Sequence, residues 1–308
     1  MIIVTGGSGF IGSNLIKALN RRDRRDIIVV DPLWEVRTKD YDVLGYLKPE
    51  EFIDVMEDLF IECFFHLGAE TDTTELDAYN VLIHNYIFSK RIAEFCIKNG
   101  IRFIYASSAA TYGQGSFNDN QLLKKLQPLN LYGYSKHVFD LQMENKPVVG
   151  LKYFNVFGPG EDHKGKMRSM IAQMKEEISE TGYVTLFKDG EQRRDHIYIN
   201  DVVDMTLHFF DHPHLNGLYN IGTGFNYTFN EIADLVFKIF GLPTKINYVE
   251  MPESLKSKYQ NNTKADITKL RSSGYTKSVT PISDAIKDYI DRRPKDVSTI
   301  RDTVGCPG

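Results

Sequence analysis

The first half of the chain alternates two kinds of segment. Residues 2–5, 27–31, 63–67, 103–107 and 148–153 are short, nearly unbroken apolar runs, as in Ile2-Ile3-Val4 and Cys63-Phe64-Phe65. Strands covered by helices on both faces read this way, because neither face alternates with solvent. Between them, residues 11–20, 49–59, 79–98 and 132–143 are longer and carry apolar positions at helical spacing. Repeated strand–helix units predict an α/β fold, a Rossmann-type doubly wound parallel sheet with right-handed crossovers. The stretch from Asp31 to Glu62 is short for its task and rich in charge, so its layout does not follow from the pattern.

Beyond Tyr153 the pattern changes. Gly, Pro and charge gather in loops such as Gly158-Pro159-Gly160-Glu161-Asp162-His163-Lys164-Gly165-Lys166. Helices are expected at 167–180, 201–210, 230–240 and 282–290, with short strands at 183–187 and 246–249. The reading is a dinucleotide-binding domain over residues 1–153 and a smaller α/β substrate lobe over 154–308, with chain exchange between the two. Such a lobe would lie over the carboxyl edge of the sheet, where open α/β folds bind ligands.

Composition narrows the function classes. The 308 residues, 42% hydrophobic and 25% charged, suffice for a sizeable core. A net charge of −4 gives no electrostatic case for nucleic acid or an anionic membrane, and no apolar run approaches bilayer length. Met1 leads straight into a strand and a glycine turn, which leaves no room for a signal peptide; a cytoplasmic location is expected. Cys63, Cys96 and Cys306 are too few and too scattered for a disulfide framework or a CxxC site, and the histidines show no HExxH grouping. No metal is expected.

Thr5-Gly6-Gly7-Ser8-Gly9-Phe10-Ile11-Gly12 follows the first strand and opens the first helix. Gly6 permits the tight turn, Gly9 lets the backbone approach a pyrophosphate, and Gly12 allows close helix–strand packing. The helix N-terminus then offers free N–H groups and a positive dipole end. Asp31, nineteen residues past Gly12, falls where an acid meets the adenosine ribose. It favours a free 2′-hydroxyl and so NAD, whereas Arg37 and Lys39 could neutralise the 2′-phosphate of NADP.

Tyr132-Gly133-Tyr134-Ser135-Lys136 puts Tyr132 and Lys136 four apart on a helix, hence on one face. A nearby ammonium favours the phenolate, so Lys136 is expected to lower the pKa of Tyr132 for proton transfer. Ser108, at the end of the fourth predicted strand, would hydrogen-bond the reacting oxygen together with Tyr132.

This combination, with Tyr153-Phe154-Asn155-Val156-Phe157-Gly158-Pro159 and Arg194-Asp195-His196-Ile197-Tyr198, resembles the extended short-chain dehydrogenases that act on nucleotide sugars, over nearly the whole chain. Within them it is similar to the ADP-heptose 6-epimerases in Tyr105–Gly113, Asn130–Lys136, His163-Lys164-Gly165, Thr73-Thr74-Glu75, Lys258-Tyr259-Gln260 and Thr263-Lys264-Ala265-Asp266. It departs from their pattern at Leu67, Asp72, Gly160 and Lys166.

The resemblance implies hydride removal from a sugar carbinol at C6, a bound ketone, and hydride return, for the heptose of lipopolysaccharide core. It implies tightly bound NADP, with NAD as the second choice, and a homo-oligomer. Tyr132 and Lys164 would be the two proton donor/acceptors, each acting with one epimer. Lys164 would need a depressed pKa, from a desolvated site or from Lys166 and Arg168; alternatively it binds the diphosphate. By the same matching Phe10, Ile11, Pro32, Lys39, Leu67, Gly68, Ala69, Asn85, Lys136 and Val156 line the cofactor. Ser108, Asn155, Lys166, Gln173, Phe187, Arg194 and Tyr259 would contact substrate. Two other readings stay open: an epimerase for a differently activated sugar, and a non-catalytic dinucleotide sensor on the same fold.

Overall fold

The structure, a computed structural model, describes residues 1–33, 41–73, 75–115, 117–118, 122–256 and 259–292. Its centre is a seven-stranded parallel sheet. Six strands come in chain order: β1 (Ile2–Thr5), β2 (Ile27–Val30), β3 (Gly45–Leu47), β4 (Cys63–His66), β5 (Arg102–Ser108) and β6 (Val149–Tyr153). The seventh is Gly217–Ile221, and the spatial order is Gly217–Ile221, β6, β5, β4, β1, β2, β3.

The unbroken apolar runs have the predicted cause. Ile2 and Val4 of β1, with Cys63 and Phe65 of β4, enter one core cluster. Ile3 and Phe64, one residue out of phase, enter the cluster on the other face. Both faces are dry, so a polar alternation would strand side chains without water.

Two strands escaped the sequence. In the charged stretch after Asp31, Gly45–Leu47 adds an edge strand ahead of the expected helix, which runs over Pro49–Val55. Gly217–Ile221 returns from the second half of the chain to pair with β6. Its apolar run is broken by Asn220, which is fully buried because Tyr112 Oη donates to its side-chain oxygen and its amide donates to the Phe117 and Asp266 carbonyls. Helix Ile199–Asp211 packs on α1 (Phe10–Asn20), so the later part of the chain also covers one face of the sheet.

The predicted helix over 79–98 is two helices, Ala78–Leu82 and Phe88–Lys98, joined by a π-helical turn at Ile83–Ile87. The helix expected from 167 starts at Met170, capped by Ser169, because Gly165 at φ 53 breaks the preceding turn. Outside the sheet, Asp195 gathers the smaller lobe. Its buried carboxylate accepts from the N–H groups of Thr223, Gly224 and Ala265 at 2.9, 3.0 and 3.0 Å, and from Thr223 Oγ1 at 2.7 Å. Among the described residues no helix is long and apolar enough to cross a membrane.

Candidate active site

At the carboxyl edge of the sheet, β1 turns into α1 through Gly6, whose φ is +66°. A Cβ there would stand 2.6 Å from the backbone of Gly68, and one on Gly12 would stand 2.2 Å from the Gly6 carbonyl oxygen. Both glycines are fixed by backbone contact within the chain. Gly9 is freer: its nearest obstacle would be 3.1 Å away, so its missing side chain leaves room facing out of the turn. The N-terminus of α1 has no side-chain cap and no acid in its first turn. The N–H groups around Phe10, Ile11 and Gly12 are thus open to an anion. Ser8 Oγ is buried without a partner among the described residues. These features fit a dinucleotide diphosphate and its ribose.

Asp31 is buried at the end of β2, its carboxylate accepting from Ser8 N–H at 3.0 Å and Leu33 N–H at 2.8 Å. Each oxygen keeps a lone pair for a ribose hydroxyl. Pro32 beside it is exposed, while Arg37 and Lys39 lie outside the described residues.

Leu67, Gly68 and Ala69 follow β4 and are half-buried against the glycine turn. A hydrogen-bonded chain holds them there. Gly68 N–H donates to Thr5 Oγ1 at 3.1 Å, and Thr5 Oγ1 and His66 Nδ1 are 2.7 Å apart. His66 Nε2 meets Ser89 Oγ at 2.7 Å, and Ser89 Oγ donates to the Asn85 carbonyl. Because the serine proton is committed, His66 carries its proton on Nε2 and accepts at Nδ1. Burial, with a smaller contribution from the Lys136 charge, pushes its pKa down to about 3, so the ring stays neutral. Asn85, expected among the cofactor contacts, uses its amide on the backbone of Glu70 and on Ser135 Oγ. It fastens the loop after β4 to the helix that bears Tyr132.

That helix, Leu131–Met143, is capped by Asn130, whose Oδ1 accepts from Gly133 N–H at 2.8 Å. A Cβ on Gly133 would come within 2.8 Å of the Ala110 carbonyl. Its absence lets the helix sit on the 3₁₀ turn Ala109–Tyr112, and this brings Tyr132 to Ser108. The two hydroxyls are hydrogen-bonded, and Ser108 Oγ also accepts from Ala110 N–H at 3.1 Å. Lys136 is buried, with Nζ donating to the Ala106 carbonyl at 2.9 Å.

The electrostatics correct one expectation. Tyr132 is held above the ordinary phenol range by burial, with the Ser108 hydrogen bond opposing and Asp140 reinforcing. Burial also pushes Lys136 down to about 8, against the Asp140 charge. Without a bound ligand, desolvation of the phenolate outweighs whatever the ammonium supplies.

Behind this pair lies an ion pair that sequence reading missed. Lys152 Nζ reaches Asp140 Oδ2 at 2.7 Å, with 1% and 0% of the side chains exposed. Asp140 also accepts from Tyr105 Oη at 3.0 Å and Ser107 Oγ at 2.8 Å. Lys152 donates to Thr111 Oγ1, which donates to the Ser108 carbonyl at 2.9 Å. The signal was present: a lysine inside a doubly covered strand, and an acid one turn beyond Lys136, each demand a partner.

Lys164 sits in the 3₁₀ turn Asp162–Met167, with its ammonium 5.9 Å over the Phe10 ring. Burial lowers its pKa and Glu161 opposes. Of the two causes proposed for a depressed lysine, burial is the one that acts; Arg168 is paired with Glu176. The same loop also touches α1 and the segment after β4. Asn14 Nδ2 donates to the Pro159 carbonyl at 3.0 Å, and Thr73 Oγ1 lies 4.0 Å from Met167 Sδ.

The expected substrate contacts divide. Arg194 is buried between the rings of Phe229 and Tyr259, 5.5 and 4.9 Å from their centres, and Tyr259 packs edge-on to Phe187. Gln114 donates to the Tyr259 carbonyl and Gln260 to that of Gly113, both at 2.8 Å, tying this cluster to the Ser108 turn. Asn155 uses its amide N–H groups on the Asp195 carbonyl and Thr263 Oγ1, leaving Oδ1 without a partner among the described residues. Val156 is half-buried and pairs along Ile197. Gln173 donates to the Arg168 carbonyl at 2.8 Å, and Lys166 is exposed.

Residues 2–222 match the NAD dependent epimerase/dehydratase family. The chain belongs to this family. It is 42% identical to the ADP-L-glycero-D-manno-heptose-6-epimerase of Alkalilimnicola ehrlichii, over 94% of this chain and 97% of that protein. The crystal structure of the Helicobacter pylori ADP-L-glycero-D-manno-heptose-6-epimerase superposes with a TM-score of 0.82 at 29% identity, over 94% of each chain. The UDP-glucose 4-epimerase of Thermotoga maritima, solved with UDP-glucose, gives a TM-score of 0.82 at 25% identity, over 94% of this chain and 97% of that one. The protein is a nucleotide-sugar epimerase, and its cofactor is a nicotinamide dinucleotide.

Proposed function

We propose that the protein interconverts the C6 epimers of ADP-glycero-manno-heptose, taking the D-glycero to the L-glycero form. The observation that carries the reading is a lysine placed and tuned to serve as a second proton-transfer group. Lys164, its pKa lowered by burial, faces the mouth of the glycine turn at Phe10, while Ser108 and Tyr132 form a separate hydroxyl pair. The relative at 42% identity is named for the same reaction.

Epimerisation at C6 exchanges the faces on which hydrogen and hydroxyl stand. The glycine turn, the α1 N-terminus, Ser8 and Asp31 would hold the dinucleotide, which supplies the hydride acceptor and donor when bound. Lys164, which burial biases toward the neutral amine, takes the hydroxyl proton of one epimer as the C6–H bond breaks. The planar ketone turns in the cleft. As the C6–H bond forms on the other face, Tyr132, with Ser108, gives its proton to the oxygen, so neither residue has to serve both orientations. Lys136 would hold the nicotinamide ribose. Arg194 and Tyr259 would hold the nucleotide end, Phe187 and Asn155 Oδ1 the remainder.

For the cofactor we favour NADP. The Asp31 carboxylate already receives two backbone N–H groups, which disperse its charge, and Arg37 and Lys39 follow closely. Titration of cofactor-stripped protein should show NADP binding more tightly than NAD, and Lys39→Ala should narrow the gap. Equal affinities would point to NAD.

The deciding experiment is proton NMR of ADP-D-glycero-D-manno-heptose with the purified protein and no added oxidant. The L-glycero epimer is expected to accumulate. Unchanged C6 stereochemistry over a long incubation, or turnover of UDP- or GDP-sugars instead, would overturn the assignment.

A further inference from the structure

Glu161 is fully buried, yet it stands in a loop of Gly, Pro and charge. Its carboxylate accepts from Gly158 N–H at 3.0 Å, Ser169 N–H at 2.6 Å and Ser169 Oγ at 2.9 Å. The Tyr289 hydroxyl, from helix Ile282–Asp291, stands beside it, close enough that, after burial, the Glu161 charge helps hold the phenol above its usual range. Gly158 and Ser169 are the two ends of the segment that carries Lys164, so one carboxylate closes that segment into a ring. Lys164 N–H also donates to the Glu161 carbonyl at 2.9 Å, which joins the ring to the turn itself.

A buried carboxylate is retained only where its lone pairs are filled, and this one has three donors. The two ends of a loop could be fixed without charge by a cap or an apolar contact. A carboxylate with donors from three directions fixes position rather than mere closure. What it positions is defined by the contacts at the loop's far side: Pro159 on Asn14, Lys164 over Phe10, Met167 against Thr73.

We infer that Glu161 is a positioning residue, which with Ser169 and Tyr289 latches the Asp162–Met167 turn so that Lys164 is held across the cleft at Phe10. The inference rests on the proposed role of Lys164 only for its kinetic consequence; the latch itself can be tested without substrate.

In cofactor-loaded Glu161→Gln, one acceptor becomes a donor facing N–H and O–H groups. Amide exchange followed by mass spectrometry should then run about tenfold faster across residues 158–169 and stay unchanged in β1, β4 and β5. Tyr289→Phe, which removes the neighbouring hydroxyl and keeps the charge, should give a smaller change in the same segment. Unaltered exchange at 158–169 in both variants would overturn the latch, whatever the fate of the epimerase reading.

The kinetic arm asks whether the latch acts through Lys164. Reduced nicotinamide is followed at single turnover with each heptose epimer separately. Glu161→Gln should slow oxidation of one epimer by about a hundredfold, the same one that Lys164→Met slows, and leave the other within about threefold. A merely structural fault would slow both alike. Equal slowing of both epimers, or of neither, would overturn the positioning role.

Discussion

Replacing Tyr132 by Phe is expected to lower epimerase turnover by about two to four orders of magnitude while leaving the dinucleotide bound. The substitution removes one oxygen and no packing. The ring still rests beside the Ala109–Tyr112 turn, Asn130 still caps the helix, and Lys136 still reaches the Ala106 carbonyl. What disappears is the hydroxyl bonded to Ser108, the group able to take a proton from a carbinol held there. Its elevated pKa sharpens the expectation. A phenol that burial keeps protonated is ready to act as an acid toward a ketone oxygen, and needs substrate and cofactor in place before it acts as a base. Lys164→Met should be comparably slow by losing the second group. The check is single-turnover formation of reduced nicotinamide with each epimer, beside cofactor retention after gel filtration. If Tyr132→Phe keeps more than about a tenth of the parent rate, Tyr132 is not the proton-transfer residue.

Most of this centre was legible because chemistry requires particular residue types at particular distances along the chain. Gly6, Gly12 and Asp31 are constrained by backbone contact and by the reach from β1 to β2, and Tyr132 with Lys136 by one helical turn. What could not be read depends on contacts between residues far apart in sequence. The bridge that the Asn85 amide makes between Glu70 and Ser135, 50 positions away, is one of these contacts. Gly217–Ile221 reads as a poor strand until Tyr112, from the Ser108 turn, satisfies Asn220. The direction of the Tyr132 shift was misjudged for the same kind of reason: helical spacing reveals the ammonium but not how dry the site is.

The buried Asp140–Lys152 pair leads to the largest expected loss of stability. Lys152→Met keeps roughly the length of the side chain and fills the same space between β6 and the helix Leu131–Met143. It also leaves the Asp140 carboxylate, 0% exposed, with two hydroxyl donors and no cation. Breaking one half of a buried pair destabilises by about 3–5 kcal/mol, well beyond the loss of an exposed pair such as Lys287–Asp291. Thermal or urea unfolding of the two single variants, Lys152→Met and Lys287→Met, should show that contrast. Adding Asp140→Asn to Lys152→Met tests the cause. The amide carries no charge; its carbonyl oxygen can accept from one of the two hydroxyls, and the other hydroxyl can turn to accept from its NH2, so the double variant should recover about half of the lost stability. If it is no more stable than Lys152→Met, the deficit comes from packing and not from a stranded charge. The consequence also reaches the cleft, because Lys152 holds Thr111 and Thr111 holds the Ser108 carbonyl. With the charge balance behind β5 gone, Ser108 loses the support that keeps it opposite Tyr132.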